Sequence, residues 1–242
     1  MKLDYLAFGA HPDDIELSCS GLLILEKSLG KKTGIIDLTE GELGSRGTVA
    51  SRYVESTDAA TIMELDVREN LQLPDGFFKN DKETQLKVIQ KIRKYRPEIL
   101  ICNAPEDRHP DHGRGSQLVE DASFLSGLLK IETFENGEQQ QHWRPKYVFH
   151  YIQDRYLEPS FLVDISPIYE KKLAAIRSYK TQFFTPGVEG PETYISKPGF
   201  LDYIINRDKM HGTRIGVEYA EGFISKKKLG FSNLDNLIKQ NT

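Results

Sequence analysis

Two short clusters of histidine and aspartate are the residues of this sequence best suited to chemistry. Each cluster, AHPDD and HPDH, joins imidazoles to neighbouring carboxylates. Their members are His11, Asp13, Asp14, His109, Asp111 and His112. Two histidines and one carboxylate with an open coordination position are typical of catalytic zinc. Iron(II) and manganese accept the same ligands, so the pattern predicts a metal site without choosing the metal.

Each cluster follows an apolar run that predicts a strand and precedes an amphipathic run that predicts a helix. The runs LDYLAFGA and EILICNAP end just before the two clusters. Repeated alternation of this kind predicts an α/β fold: a Rossmann-like, mainly parallel sheet flanked by helices. Ligands of such sheets bind beyond the carboxyl ends of the strands, so both clusters should meet at one rim. Helix capping would explain one aspartate, but not His11 and a second carboxylate.

Three further segments carry structural predictions. Residues 15–30, IELSCSGLLILEKSLG, have apolar positions spaced by three and four, which predicts one core-facing helix that ends at Gly30. Residues 132–146 are polar and predict a surface loop. Residues 187–199 are rich in glycine and proline and predict a long loop, which in compact domains is often functional.

The overall composition is that of a globular protein with a small-molecule ligand. The 242 residues are 38% hydrophobic and 28% charged, with a net charge of -4, which argues against disorder and against a nucleic-acid-binding surface. The chain lacks the roughly 18 consecutive apolar residues of a membrane span and the pattern of a signal peptide. We therefore expect a cytoplasmic protein with one domain over residues 1–242, in which Cys19 and Cys102 are buried free thiols.

The segment GELGSRGT contains three glycines, Gly41, Gly44 and Gly47, that invite comparison with phosphate-binding loops. Their spacing matches neither G-x-x-x-x-G-K-[ST] nor G-x-G-x-x-G, which argues against a nucleotide site. We interpret the segment as a flexible loop that covers the substrate.

Several of these stretches also resemble a known family. AHPDDIELSCSG, TEGELGSRGT and HPDHGRG are similar to motifs of the LmbE-like, or PIG-L, family of zinc-dependent sugar N-deacetylases. RYVE, LPDGFF, ETYISKPGF and HGTRIGVEYAEGF resemble the bacillithiol-biosynthesis branch, whose enzyme removes acetate from N-acetylglucosaminyl-L-malate. The resemblance covers nearly the whole chain and is more specific for the family than for the substrate. It implies an LmbE-like fold, an N-acetyl sugar as substrate, and a homo-oligomer, commonly a hexamer.

The resemblance also implies roles for the two clusters. The zinc ligands would be His11, Asp14 and His112. Asp13 would be the base that takes a proton from metal-bound water. His109, when protonated, would stabilise the oxyanion or protonate the leaving amine, and Asp111 would orient its imidazole. Asp111 is equally well interpreted as a helix-cap residue.

Three residues outside the clusters are candidates for binding the substrate. Arg52 and Arg108 could pair with the carboxylates of a malyl group, since arginine binds carboxylates bidentately. An ion pair with Glu55 on the same helix is an equally good interpretation of Arg52. Tyr194 could polarise the acetyl carbonyl, or it could simply pack on the surface.

Two other functions remain open at this point. The same site could deacetylate another N-acetyl sugar, such as a chitin fragment, or cleave the amide of a thiol conjugate. A protein of a different class, a non-catalytic sugar-binding protein with a structural metal, would normally have a closed site with four protein ligands. The spare carboxylate of Asp13 favours the enzyme.

Overall fold

A central sheet with helices on both faces organises the chain, in a computed structural model that describes residues 1–187 and 189–235. The strands are β1 (Tyr5–Gly9), β2 (Thr33–Thr39), β3 (Val67–Leu73), β4 (Ile99–Cys102), β5 (Phe134–Glu135), β6 (Glu138–Gln139), β7 (Tyr147–Tyr151), β8 (Phe161–Asp164) and β9 (Ala220–Ser225). The helices are α1 (Asp14–Ser18), α2 (Ser20–Ser28), α3 (Val49–Met63), α4 (Lys82–Tyr95), α5 (Pro110–Ser126), α6 (Tyr169–Arg177) and α7 (Phe200–Ile215). The predicted domain extends into residues 236–242, and the predicted loop 187–199 includes Val188; both parts lie outside the described residues.

The large sheet has the strand order β3-β2-β1-β4-β7-β9-β8. β1 pairs in parallel with both β2 and β4, and β9 runs antiparallel to both of its neighbours. The chain thus leaves β1 towards one edge and later returns to place β4 on its other side. This reversal between β1 and β4 is a topological switch point, where ligands of open α/β sheets bind. The predicted α/β fold is confirmed.

The alternation of β1 distributes its side chains over two hydrophobic cores. Leu6 and Phe8 pack on one face with side chains of α4 and α5, whereas Ala7 packs on the other face with side chains of α1, α2 and α3. Burial on both faces explains the continuous apolar runs of the central strands. Cys19 and Cys102 are buried free thiols, as predicted. None of the described helices is both long and apolar enough to cross a bilayer.

The predicted single helix over residues 15–30 is wrong, because the helical segment is broken at Cys19. The Cys19 backbone, with φ -141° and ψ 15°, separates α1 from α2. Glu221 of β9 stabilises the break, since its carboxylate accepts hydrogen bonds from the N–H groups of Gly21 at 2.8 Å and Leu22 at 2.7 Å. These are free N–H groups of the first turn of α2, and the residue that satisfies them comes from the far end of the chain.

The segment 132–146 is also more ordered than predicted. It contains the short antiparallel hairpin of β5 and β6, in which Phe134 pairs with Gln139. Arg93 of α4 holds the start of this segment by donating to the carbonyl of Ile131 at 2.6 Å and to Thr133 Oγ1 at 2.9 Å. A contact between distant segments thus orders residues whose local composition is that of a loop.

Candidate metal centre

The two clusters predicted from the sequence meet beyond the carboxyl ends of β1 and β4. His11 follows β1, while His109 and His112 begin α5 after the loop that leaves β4. The ring centroid of His11 lies 4.6 Å from that of His109 and 5.6 Å from that of His112. The switch point of the sheet therefore brings the three imidazoles into one site.

Asp14 lies between two of these imidazoles. Its Oδ2 atom is 3.7 Å from Nδ1 of His11, and its Oδ1 atom is 3.2 Å from Nε2 of His112. Two imidazoles and a carboxylate that converge in this way are a donor set suited to a divalent transition metal. Asp14 thus lies next to both imidazoles of the predicted triad, His11 and His112.

Carboxylates on the outer side of both rings decide which nitrogen atoms face Asp14. Nε2 of His11 lies 3.1 Å from Oδ1 of Asp75, and Nδ1 of His112 lies 2.6 Å from Oδ2 of Asp107. The surrounding carboxylates raise the pKa of His11 and raise that of His112 to about 9. In the neutral ring, a proton on the outer nitrogen is donated to the outer carboxylate, and the inner nitrogen then has its lone pair free for a metal. Sequence reasoning missed Asp75 and Asp107, although both lie in quoted motifs, LPDGFF and DRHPDH.

Asp14 is itself held by neutral donors. Its Oδ2 atom accepts from Asn103 Nδ2 at 3.0 Å, and its Oδ1 atom accepts from Gln153 Nε2 at 2.8 Å. Burial by itself would raise the pKa of Asp14, but the His112 and His11 imidazoles outweigh burial and hold the pKa well below its usual value. The hydrogen bonds from Asn103 and Gln153 fix the orientation of the Asp14 carboxylate. Neither Asn103 nor Gln153 was predicted, because single amides carry no recognisable pattern.

Asp13 occupies a strained backbone position and keeps its carboxylate free of the helix. Its φ of 120° is unusual for a residue other than glycine, and its side chain makes no capping hydrogen bond to the described helix α1. The predicted alternative of simple capping therefore does not apply to Asp13. Its carboxylate lines the cavity described below, and burial raises its pKa to about 7 against the opposing charge of Arg52.

His109 is the N-cap residue of α5, and its Nδ1 atom accepts the backbone N–H of Asp111 at 3.2 Å. This hydrogen bond assigns the proton of the neutral ring to Nε2. His11, His109 and His112 also form a possible metal group, with nitrogen atoms within 4.8 Å of one another. The assigned tautomer disfavours His109 as a ligand. Burial, followed by the neighbouring imidazoles, lowers the pKa of His109, so the neutral donor is favoured over the predicted protonated form.

The predicted contact between the Asp111 carboxylate and the His109 ring is not what the structure has. The carboxylate of Asp111 accepts instead from the N–H of Gly76 at 2.7 Å and pairs with Arg114 at 2.5 Å, and it lies 3.5 Å from Nε2 of His11. The first turn of α5 points the Asp111 side chain away from its helix neighbour. The hydrogen bond between the two residues comes from the backbone N–H of Asp111.

Arg52 is buried beside Asp13 and is only 7% exposed. Its guanidinium donates to the Pro12 carbonyl at 3.4 Å and to Gln182 Oε1. The alternative ion pair with Glu55 is wrong, because the carboxylate of Glu55 accepts instead from the backbone and hydroxyl of Thr181. Gly41 allows the glycine-rich loop to approach Arg52, because a Cβ at this position would lie only 2.5 Å from Arg52 Nη1. The loop 41–47 therefore packs closely over this arginine.

Arg108 and Tyr194 form a pair at the mouth of the site. The guanidinium carbon of Arg108 lies 4.2 Å from the ring centroid of Tyr194, and its Nε atom lies 3.6 Å from Oδ2 of Asp154. Both side chains are substantially exposed. The structure thus brings together two of the three predicted substrate-binding residues at the rim, while Arg52 lies deeper.

A cavity of about 210 Å³ connects these groups. Its walls include Asp13, Asp14, Arg52, Arg108, His109 and His112. The space holds a free carboxylate, a hydrogen-bond donor and two cations around the possible metal position. These are the groups required to activate water, stabilise an oxyanion and bind an anionic substrate.

The fold and the site together define an α/β protein with a possible His/Asp metal site at the switch point of its sheet. The family model "PIG-L: GlcNAc-PI de-N-acetylase" matches residues 6–123. The solved structure of a conserved protein from Thermus thermophilus, TT1542, is 36% identical, with a TM-score of 0.84 and coverage of 95% of this chain and 97% of that one. The chain belongs to the PIG-L, or LmbE-like, family of metal-dependent deacetylases and is an amide hydrolase.

Two deacetylases are among the relatives. Diacetylchitobiose deacetylase of Thermococcus kodakarensis is 26% identical over 228 residues, which are 90% of this chain and 80% of that protein. The structure of N,N'-diacetylchitobiose deacetylase from Pyrococcus horikoshii has a TM-score of 0.77 at 23% identity, and it covers 91% of this chain and 82% of that one. The second likeness is one of fold. The family and the enzyme class predicted from the sequence are confirmed.

Proposed function

We propose that the protein is a zinc-dependent N-deacetylase of an N-acetylglucosaminyl conjugate, with N-acetylglucosaminyl-L-malate of bacillithiol biosynthesis as its substrate. The observation that carries the proposal is the division of labour between adjacent aspartates. Asp14 faces the inner nitrogens of His11 and His112, while the carboxylate of Asp13 remains free at the cavity wall. A structural zinc ion normally has four protein ligands and requires no additional free carboxylate beside it.

The metal would be held by His11, Asp14 and His112, because Asp14 lies next to a ring nitrogen of each histidine. A bound zinc ion supplies a Lewis acid that polarises the amide carbonyl and lowers the pKa of water. Asp75 and Asp107 would keep the two imidazoles in the correct tautomer and orientation.

The residues around this position account for the proton transfers of amide hydrolysis. Asp13 accepts a proton from the water whose oxygen bonds to the acetyl carbon, and it returns that proton to the nitrogen as the C–N bond breaks. His109 donates from Nε2 to the oxygen of the former carbonyl, which carries negative charge in the tetrahedral state. The products are acetate and a free amine.

The proposed anionic aglycone is supported by the arginines. Arg52 presents a buried positive charge, and Arg108 presents an exposed one at the rim. Two carboxylates of a malyl group could occupy both. Tyr194, which stacks on Arg108, is proposed to donate from its hydroxyl to the substrate. The same family resemblance supports a homo-oligomer such as a hexamer, which sedimentation velocity would test. We also propose that the protein is cytoplasmic.

A second candidate substrate is diacetylchitobiose. The deacetylase from Thermococcus kodakarensis, which carries that substrate in its name, is similar over 90% of this chain. A chitin fragment is uncharged, so it would not supply Arg52 with an anionic partner. That difference favours the malate conjugate.

The test is release of primary amine from N-acetylglucosaminyl-L-malate by zinc-loaded protein. Diacetylchitobiose and N-acetylglucosamine serve as competing substrates, and chelator-treated protein serves as the control. We expect release from the malate conjugate to be fastest, lost with chelator and restored by zinc. Faster release from diacetylchitobiose would select the second candidate, and no release from any of the three by metal-loaded protein would refute the proposed function.

A further inference from the structure

The environment of Arg52 is unusual because its hydrogen-bond partners are uncharged. The guanidinium donates to the Pro12 carbonyl and to the amide oxygen of Gln182. Within residues 1–187 and 189–235, no ion pair shorter than 4.0 Å involves this side chain. The Asp13 carboxylate lies nearby in the same cavity but forms no such ion pair with Arg52. The direct hydrogen-bond partners of this buried charge are therefore neutral, which leaves the guanidinium available to an anionic group of a ligand.

Gln182 is held so that only its oxygen faces Arg52. Its Nε2 atom donates to the backbone carbonyl of Arg46 at 2.8 Å and lies 3.0 Å from Thr181 Oγ1. The amide nitrogen thus has its own acceptors, and these determine which end of the amide points towards the guanidinium. Gln182 is 3% exposed and lies outside every motif singled out in the sequence.

A glutamate would fit the same position sterically and would neutralise Arg52. The nearby Glu55 could have been such a counterion, but its two oxygens are occupied by the N–H and hydroxyl of Thr181, at 2.7 and 2.8 Å. The fold thus holds the Glu55 carboxylate away from the Arg52 guanidinium and places the neutral amide of Gln182 against the guanidinium.

We propose that Gln182 is a specificity-determining residue that positions Arg52 without neutralising it, so that the enzyme prefers substrates with a carboxylate in the aglycone. This inference rests on the proposed function and extends it, because it assigns the charge preference to a residue that need not touch the substrate. Gln182 acts through Arg52 and is therefore a positioning residue.

The test compares Gln182→Glu with Gln141→Glu, which adds the same charge on an exposed segment elsewhere. The measured quantity is the ratio of kcat/KM for N-acetylglucosaminyl-L-malate to kcat/KM for N-acetylglucosamine. We expect Gln182→Glu to lower this ratio about tenfold or more, mainly through KM for the malate conjugate, since a charge-assisted contact is lost. An unchanged ratio in a folded Gln182→Glu protein would overturn the proposal.

A binding measurement separates this inference from the proposed activity. Calorimetric titration of L-malate into zinc-loaded protein requires no turnover, and we expect binding about tenfold weaker in Gln182→Glu than in the wild type or Gln141→Glu. Equal binding in all three proteins would refute the role of Gln182, even if the deacetylase activity is found. Weakened binding without any amide hydrolysis would support the role of Gln182 and refute only the proposed reaction.

Gln182→Glu also loses the hydrogen bond from Nε2 to the Arg46 carbonyl. A second variant therefore separates an effect on folding from an effect on the position of Arg52. Gln182→Met has a similar length and no charge, and it removes the acceptor that orients Arg52. We expect it to weaken L-malate binding as well, though less than Gln182→Glu does. Wild-type affinity in a Gln182→Met protein with a normal melting transition would contradict a positioning role.

Discussion

Asp107 and His112 lie five positions apart, and Oδ2 of Asp107 lies 2.6 Å from Nδ1 of His112. Both side chains are at most 5% exposed. The carboxylate therefore fixes the ring in a low-dielectric setting, where a hydrogen bond to a charged group is strong. Because this contact points Nε2 towards Asp14, the metal affinity of the site depends on a residue that would not touch the metal.

Asp107→Asn should weaken zinc binding roughly 10–100-fold, the usual effect of removing an outer carboxylate. The asparagine can still accept from the ring, but it no longer favours the electron-rich form of the imidazole. Competition with a chromophoric chelator measures the affinity. Asp121→Asn, which lies in α5 but not in the cavity wall, is the control and should leave the zinc affinity unchanged. Equal affinities for Asp107→Asn and the control would show that the contact is only structural.

Asp13→Asn should retain the metal and lose turnover by about 10²–10⁴-fold, because the variant cannot accept a proton. Asparagine tolerates the positive φ of this position better than alanine does, so the backbone should persist. Metal analysis and amine release are measured on the same preparation. His112→Ala is the contrasting variant, which should lose the metal itself. Full turnover in metal-loaded Asp13→Asn would exclude Asp13 as the base.

Lys172→Met should lower the free energy of unfolding by about 3–5 kcal/mol. The ammonium of Lys172 is fully buried and pairs with Asp208 at 2.7 Å and Glu221 at 2.9 Å. Its removal leaves the buried Glu221 without a cation and leaves Asp208 paired with Arg207 alone. Urea denaturation provides the measurement. Lys171→Met, which removes an exposed pair with Glu64, should leave the free energy of unfolding close to that of the wild type. Similar losses in both variants would argue against the buried network.

His211 should make the protein less stable in mild acid. Burial lowers the pKa of His211 from 6.5 to about 4, and neither ring nitrogen has a hydrogen-bond partner among the described residues. Between these pH values the unfolded chain binds a proton at His211 that the folded chain does not. The free energy of unfolding therefore has its full value above pH 6.5 and decreases as the pH falls towards 4.

His211→Phe should therefore reduce the loss of unfolding free energy between pH 6.5 and 4 by about 2 kcal/mol. Urea denaturation at a series of pH values measures the slope. His142→Gln replaces an exposed histidine and should leave the slope as in the wild type. A wild-type slope in His211→Phe would show that the ring takes up its proton normally in the folded state.

The sequence by itself determined the fold class and which histidines lie together at the rim of the sheet. Strand-helix alternation predicted the parallel sheet, and the position of both histidine clusters at strand ends placed them on one rim. This success has a local cause: strand order and periodicity are properties of short segments, and the carboxyl ends of parallel strands share one edge. The break at Cys19 escaped prediction because the residue that satisfies the start of α2, Glu221, is about 200 positions away.

Only the tertiary structure decided which groups surround these predicted residues. Asp75 reaches His11 across 64 positions, and Gln182 reaches Arg52 across 130. Asp111 was expected to orient His109 because the two are neighbours in sequence, yet the turn of α5 directs its carboxylate towards His11. Hydrogen bonds depend on distances of a few tenths of an ångström and on side-chain direction, and packing between segments sets both. Residue types can therefore indicate the chemistry, while tautomer, charge balance and orientation follow from the folded chain.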